Sequence, residues 1–286
     1  MNYNKELDTN AEISWCPGCG NFGILNSLKI SLTNLNLSSS DVLIVSGIGQ
    51  AAKTPHFINI NGFNGLHGRG IPAALGAKSA NNNLKIIVST GDGDGYGEGG
   101  NHFIHNIRRN IDITHLVHDN QIYGLTKGQG SPTTAKGQST TLHSDGTKLD
   151  PFNPISTAIS LGCSFVARSF SGDIDHLTKI IQEAINHKGY ALVDILQPCV
   201  TFNKVNTFKW YKDRVYKLND EYDPYNKEEA FKKSLEWGDD GIPLGIIYKE
   251  DKTTFLDRFD NLKNKPPLVN ASLNPKDAEK FIEDFK

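Results

Sequence analysis

Residues 85–110, KIIVSTGDGDGYGEGGNHFIHNIRRN, pass from a β-branched apolar run through a glycine-rich turn into an amphipathic stretch. A strand that feeds such a turn and then a helix presents backbone N–H groups to an anion, and it is the local form of a parallel α/β crossover. The same alternation recurs along the chain. Strands are expected at 42–46, 85–90, 113–118, 164–168 and 191–196, with helices at 22–35, 71–80, 99–109, 154–161 and 173–187. Short β-branched strands of this kind are covered on both faces. The expected fold class is therefore α/β, with a doubly wound, mostly parallel sheet. Residues 120–146 are rich in Gly, Ser, Thr and Gln and long for a connection, as functional loops often are. Beyond about residue 201 the alternation fades into FKWYKDRVYKLNDEYDPY. The expected organisation is one domain over residues 1–205, with an irregular C-terminal extension over 206–286 packing on that domain or on a partner subunit.

Composition narrows the classes of function. The 286 residues carry 30 Lys and Arg against 32 Asp and Glu, a formal charge of −2. Broad nucleic-acid or anionic-membrane binding needs a basic excess, so neither is expected. No apolar run approaches the ~20 residues that span a bilayer. The N-terminus, MNYNKELDTNAEISW, has no apolar signal core, so the expected location is cytoplasmic. Four cysteines do not make a disulfide scaffold. In a reducing compartment the CPGCG element, with Cys16 and Cys19, is a metal ligand pair or a redox dithiol.

The turn contains a G-x-G-x-x-G at Gly95, Gly97 and Gly100, which imitates a dinucleotide fingerprint. Charge argues against that reading. Asp92, Asp94 and Glu98 sit in or beside the turn, where a bare pyrophosphate is repelled. A divalent cation bridging carboxylate and phosphate resolves the conflict, as Mg²⁺ does through oxygen ligands. A second oxygen ligand is available in Asn120, directly after the strand at 113–118 and 28 residues beyond Asp92. One helix and one strand fit that interval, so both side chains emerge at the carboxyl end of the sheet.

The pair resembles the thiamine diphosphate motif, a GDG followed about thirty residues later by an Asn-containing turn. By that resemblance the fold is of the diphosphate-domain type. Asp92, Asn120 and the backbone carbonyl of Ile122 hold Mg²⁺, Gly91 and Gly93 admit the diphosphate, and Asp94 belongs to the cofactor-binding turn.

The motifs WCPGCG, SGIG, GLHGRGIPAALGAK, GDGDGYGEGGNHFIHNIRRNID, DNQIYGLTKGQGSPTT and LQPCVTFN follow in one order. Together they resemble the beta subunit of a 2-oxoacid:ferredoxin oxidoreductase over roughly residues 12–220. The resemblance implies CoA-linked oxidative decarboxylation of a 2-oxoacid, pyruvate or 2-oxoglutarate, to an acyl-CoA and CO2. Electrons would pass through an iron–sulfur cluster, expected as [4Fe–4S], to ferredoxin. It assigns Ile48, Gly49, His67, Gly68, Tyr123, Gly124, Leu125 and Thr126 to the cofactor pocket, and Cys16, Cys19 and Cys199 to the cluster. Where the family's fourth cysteine is usual, this chain has Gln50. Cys163, where an apolar helix meets a strand, is expected to be a buried structural thiol. Lys53 and Lys127 are candidates for orienting the substrate's carboxylate or a distal acid group. The glutamate that activates the cofactor is expected from an alpha subunit, so the beta chain alone is expected to be inactive. Two other readings keep part of the pattern. A non-redox thiamine diphosphate-dependent decarboxylase subunit has no need of the cysteines, and a non-catalytic zinc- and nucleotide-binding module gives Asn120 no role.

Overall fold

The structure is a computed structural model and describes residues 3–260, 262–272, 274–283 and 285. Six parallel strands form the body of the sheet: β1 (Val42–Ser46), β2 (Asn61–Asn64), β3 (Lys85–Gly91), β4 (Ile113–Asp119), β5 (Phe165–Phe170) and β6 (Tyr190–Leu196). Two more, β7 (Val215–Lys217) and β8 (Ile242–Lys249), complete an eight-stranded sheet of order β2-β1-β3-β4-β6-β5-β8-β7. β8 runs antiparallel to β5, and β7 is parallel to β8. The sheet thus continues past residue 205.

Alternation within each strand assigns its two faces. On β3, Ile87 joins one core with Ile24, Leu28 and Leu32 of α1 (Asn21–Asn34) and Leu177, Ile181 and Ile185 of α5 (Ile174–Asn186). Its neighbours Ile86 and Val88 point the other way. They meet Ile71 of α2 (Gly70–Ala80), Phe103 and Ile107 of α3 (Gly100–Arg109), and Ile155 and Ile159 of α4 (Pro154–Ser160). Helices therefore cover both faces. Each large aliphatic side chain buried here contributes roughly 1.5–3 kcal/mol, so the two cores fix which strand face turns which way. Asn153 and Asp173 cap α4 and α5 by accepting from the N–H groups of Ser156 and His176, which sets where these helices begin. A third, smaller core of Phe170, Leu196, Tyr211, Ile242 and Leu244 ties residues beyond 205 to the sheet.

Register fixes the ligand end. Gly91 pairs with His118, and Asp119 pairs with Leu196. The carboxyl ends of β1, β3, β4 and β6, four neighbours in the sheet, therefore open their following loops at one edge. Between β3 and α3 the chain forms one turn of π-helix, Gly93–Glu98, in which the Gly99 N–H donates to the Asp94 carbonyl at 2.9 Å. Single π turns of this kind concentrate at functional sites. No helix among the described residues is long and apolar enough to cross a membrane.

Candidate active site

One cleft at that edge is lined by Ile48, Gly49, Gln50 and Ala51 after β1, His67, Gly91–Asp94 after β3, and Asn120 with 122–126 after β4. The sequence-expected residues Ile48, Gly49, His67, Gly91, Asp92, Gly93, Asp94, Asn120, Ile122, Tyr123, Gly124, Leu125 and Thr126 all line it. Gly68 sits behind the wall, with its N–H on Asp94. Lys53 and Lys127 are not in the wall. Lys53 places Nζ 3.3 Å from Ser14 Oγ, and Lys127 is exposed at φ +77°.

Asp92 is buried, and its Oδ2 accepts from Ser131 Oγ at 2.5 Å and Thr133 Oγ1 at 2.7 Å. The Thr133 hydroxyl also lies 2.8 Å from Asp119 Oδ1. Burial pushes the Asp92 carboxyl up to about 6 against these hydroxyls, and burial together with Asp194 and Asp92 pushes Asp119 well up. Behind Asp119, Asp194 accepts from Tyr96 OH at 3.0 Å and faces the buried Arg168 at 3.6 Å. Carboxylates this poor in cations are disfavoured as anions in a low dielectric, and a bound divalent cation reverses that preference.

The Asn120 amide is fixed at both ends. Its Oδ1 accepts from the Ile122 N–H at 3.1 Å, and its Nδ2 donates to Gln197 Oε1 at 2.9 Å. Among the described residues no N–H or O–H donates to the Ile122 carbonyl. Asp92, Asn120 and Ile122 thus offer a carboxylate, an amide oxygen and a carbonyl, hard oxygen donors that suit Mg²⁺.

Asp94 is engaged by the protein itself. Its Oδ1 accepts from the N–H groups of Gly68 at 2.7 Å and Ile48 at 3.1 Å, and His67 Nδ1 lies at 2.7 Å. It ties the loops after β1 and β2 to the glycine-rich turn. Gly68 sits at φ +71°, and a Cβ there would lie 2.4 Å from the Glu98 carbonyl carbon. At Gly93 a Cβ would lie 2.1 Å from Tyr123 Cε1, so glycine lets the Tyr123 ring lie across the turn. Arg69 braces the same loop by reaching His102 of α3 at 2.8 Å.

Cys16, Cys19, Cys199 and Gln50 line an adjoining pocket with Trp15, Gln197 and Thr201. Thr201 Oγ1 donates to Cys16 Sγ at 3.1 Å, and Gln197 Nε2 to Cys19 Sγ at 3.4 Å. Burial pushes the Cys19 thiol up to about 11, opposed by the Asn21 N–H and reinforced by Cys199 and Cys16. Among the described residues no three His, Cys, Asp or Glu side chains converge on a single ion position. The oxygen site has only one carboxylate, and thiolates that bind different irons of a cluster do not share one point. The two pockets share Gln50, Asn120 and Gly124 as walls. Cys163 is buried apart from them, as expected.

Residues 45–195 match the family described as thiamine pyrophosphate enzyme, C-terminal TPP binding domain. Residues 199–264 match the C-terminal family of the pyruvate ferredoxin oxidoreductase beta subunit. Over 257 residues the chain is 49% identical to 2-oxoacid:ferredoxin oxidoreductase 1, subunit beta, of Aeropyrum pernix, covering 86% of this chain and 80% of that one. The chain belongs to the beta subunits of the 2-oxoacid:ferredoxin oxidoreductases. A Saccharolobus solfataricus beta subunit is 46% identical over 83% of this chain and 82% of its own. A solved 2-oxoglutarate:ferredoxin oxidoreductase from Magnetococcus marinus, with 2-oxoglutarate, coenzyme A and succinyl-CoA bound, superposes with a TM-score of 0.92 at 32% identity. That match spans 99% of this chain and 95% of the other.

Within this beta subunit, sequence reasoning passed over four side chains that organise the site: Ser131, Thr133, Gln197 and Thr201. Ser131 and Thr133 lie in the SPTT run and Gln197 in LQPC, so the motifs held them without showing their roles.

Proposed function

We propose that this beta subunit holds the diphosphate and Mg²⁺ of thiamine diphosphate and an iron–sulfur cluster. With an alpha subunit it would catalyse CoA-linked oxidative decarboxylation of a 2-oxoacid, pyruvate or 2-oxoglutarate, passing electrons to ferredoxin. The observation that carries the reading is the shared wall of Gln50, Asn120 and Gly124 between the oxygen-lined cleft and the thiol pocket. A plain decarboxylase has no use for three cysteines beside its cofactor, and a zinc module has no use for the fixed Asn120 amide.

Thiamine diphosphate, when bound, supplies the electron sink that decarboxylation needs. The protein's part is binding and placement. Asp92, Asn120 and the Ile122 carbonyl would hold Mg²⁺, with Ser131 and Thr133 orienting the Asp92 carboxylate. Asp94 holds the Ile48 and Gly68 loops, which border the cleft, in one arrangement. Lys53 and Lys127 would reach the substrate's carboxylate from outside the wall. Leu66 and Leu125 are 74% and 44% exposed beside His67 and in the wall itself, apolar surface that an alpha subunit would cover.

The test is an anaerobic EPR spectrum of the chain purified with its alpha partner, before and after thiamine diphosphate, Mg²⁺, CoA and each of a panel of 2-oxoacids. A reduced-cluster signal with one substrate is expected. Cofactor binding with no iron and no signal would leave a non-redox decarboxylase subunit.

A further inference from the structure

We infer that the Gln50 side-chain oxygen completes the cluster's coordination as a neutral fourth ligand beside three thiolates. The inference rests on the cluster assignment proposed above. Gln50 lines the same pocket as Cys16, Cys19 and Cys199, yet its Oε1 is buried and has no hydrogen-bond partner. Its backbone is held in place, with its carbonyl accepting from Trp15 Nε1 at 2.8 Å and from the Lys53 N–H at 3.3 Å. Of the side-chain donors around this pocket, Thr201 is engaged with Cys16, Gln197 with Cys19 and the Pro198 carbonyl, and Asn120 with Gln197, while Asn21 Nδ2 is buried without a partner and makes no bond to Gln50. A buried carboxamide oxygen without a donor, on a residue that shares its pocket with three thiols, needs an electropositive partner. Iron accepts both soft sulfur and harder oxygen ligands, so the fourth iron of a cluster held by the three cysteines is such a partner.

Two properties follow from replacing a thiolate by a neutral amide. The cluster gains one unit of positive charge relative to four-cysteine ligation, which raises its reduction potential. The iron on Gln50 is also the most weakly held. One-electron oxidation of [4Fe–4S]²⁺, the electron going to ferricyanide, gives [4Fe–4S]³⁺, which releases that iron as Fe²⁺ and leaves [3Fe–4S]⁺.

The experiment uses the alpha–beta enzyme, reconstituted anaerobically with iron and sulfide, as wild type, Gln50→Cys and Gln50→Ala. Iron and sulfide content, EPR and the midpoint potential are read during stepwise ferricyanide addition, with thiamine diphosphate binding measured in parallel as a check on folding. Wild type is expected to carry four irons, lose one of them on oxidation and develop a three-iron signal. Gln50→Cys is expected to keep all four through the same titration at a lower midpoint potential, and Gln50→Ala to lose its iron more readily than wild type. Wild type behaving like Gln50→Ala in iron loss and signal overturns the ligand role, and so does wild type resisting oxidation like Gln50→Cys. Absence of iron and sulfide from all three, with thiamine diphosphate still bound, instead overturns the cluster assignment, and the inference falls with it.

Discussion

The Asp94 carboxylate accepts the Gly68 backbone N–H at 2.7 Å, across 26 residues of sequence. The same oxygen takes the Ile48 N–H and faces His67 Nδ1, while its partner Oδ2 is buried without a donor. Asp94→Asn removes the charge and places an amide where no acceptor waits. Bonds to a charged acceptor contribute about 1.5–3 kcal/mol, so the substitution should destabilise the protein by about that much. Hydrogen exchange gives the local test. The Ile48 and Gly68 amides should lose protection first, and unchanged protection there would show that Asp94 does not hold these loops.

Thr133 joins two buried carboxyls with one hydroxyl, 2.7 Å from Asp92 and 2.8 Å from Asp119. Thr133→Val keeps the shape and removes the bridge. Partners that orient a metal's ligands typically account for roughly 10–100-fold in affinity, and that loss is expected in Mg²⁺-dependent thiamine diphosphate binding. Isothermal titration with wild-type affinity would mean that Asp92 needs no such support.

Close approach makes a second demand at Gly93. Gly93→Ala sets a methyl against the Tyr123 ring, whose hydroxyl is anchored on Glu98 Oε2 at 3.1 Å. The ring must then swing into the cleft, and cofactor affinity should fall at least about tenfold. Adding Tyr123→Ala removes the obstruction, so the double variant should bind better than Gly93→Ala alone. Additive losses would place the fault in the turn itself.

How far the sequence was legible follows from where each signal lies. Local alternation located β1, β3, β4, β5 and β6 within a residue or two, and the Asp92–Asn120 spacing placed both at one end of adjacent strands. β2 was missed because NGFN is exposed at all four positions and has no apolar alternation. β8 was missed because Pro243 and Gly245 interrupt it. Gly245, at φ +139°, pairs with Arg168, and two residues on the pairing with β5 slips between Val166 and Ala167, so tertiary packing rather than local preference makes the strand. Ser131 and Thr133 were unreadable as partners of Asp92 because they return from 39 and 41 residues downstream. Asp94 looked the same as Asp92 in the sequence, and only the loops that fold onto it separate a clamp from a ligand.

The thiols should differ sharply in the metal-free chain. Burial lifts Cys19 to about 11 and Cys163 to about 12, whereas Cys16 is exposed. At pH 8 only about one Cys19 in a thousand, and one Cys163 in ten thousand, is then a reactive thiolate. Iodoacetamide with mass-spectrometric readout should modify Cys16 well before Cys163. Equal rates would show that the native packing around Cys163 opens freely.

His115 lies fully buried on β4 between Thr90 Oγ1 and Tyr190 OH, each 2.8 Å from a ring nitrogen. Burial drives its pKa from 6.5 down to about 3. Between those values the unfolded chain binds the extra proton, so stability from the neutral ring is full above about pH 6.5 and is lost as pH falls. Nearby carboxyls, raised by burial, act in the opposite direction and obscure the effect in the wild type alone. Comparison with His115→Gln cancels them. Urea unfolding of both proteins should show the wild-type advantage shrinking by about 2 kcal/mol from pH 7.5 to pH 5, the free energy of protonating an unfolded histidine 1.5 pH units below its pKa. A constant gap would mean that His115 takes up its proton within the folded protein.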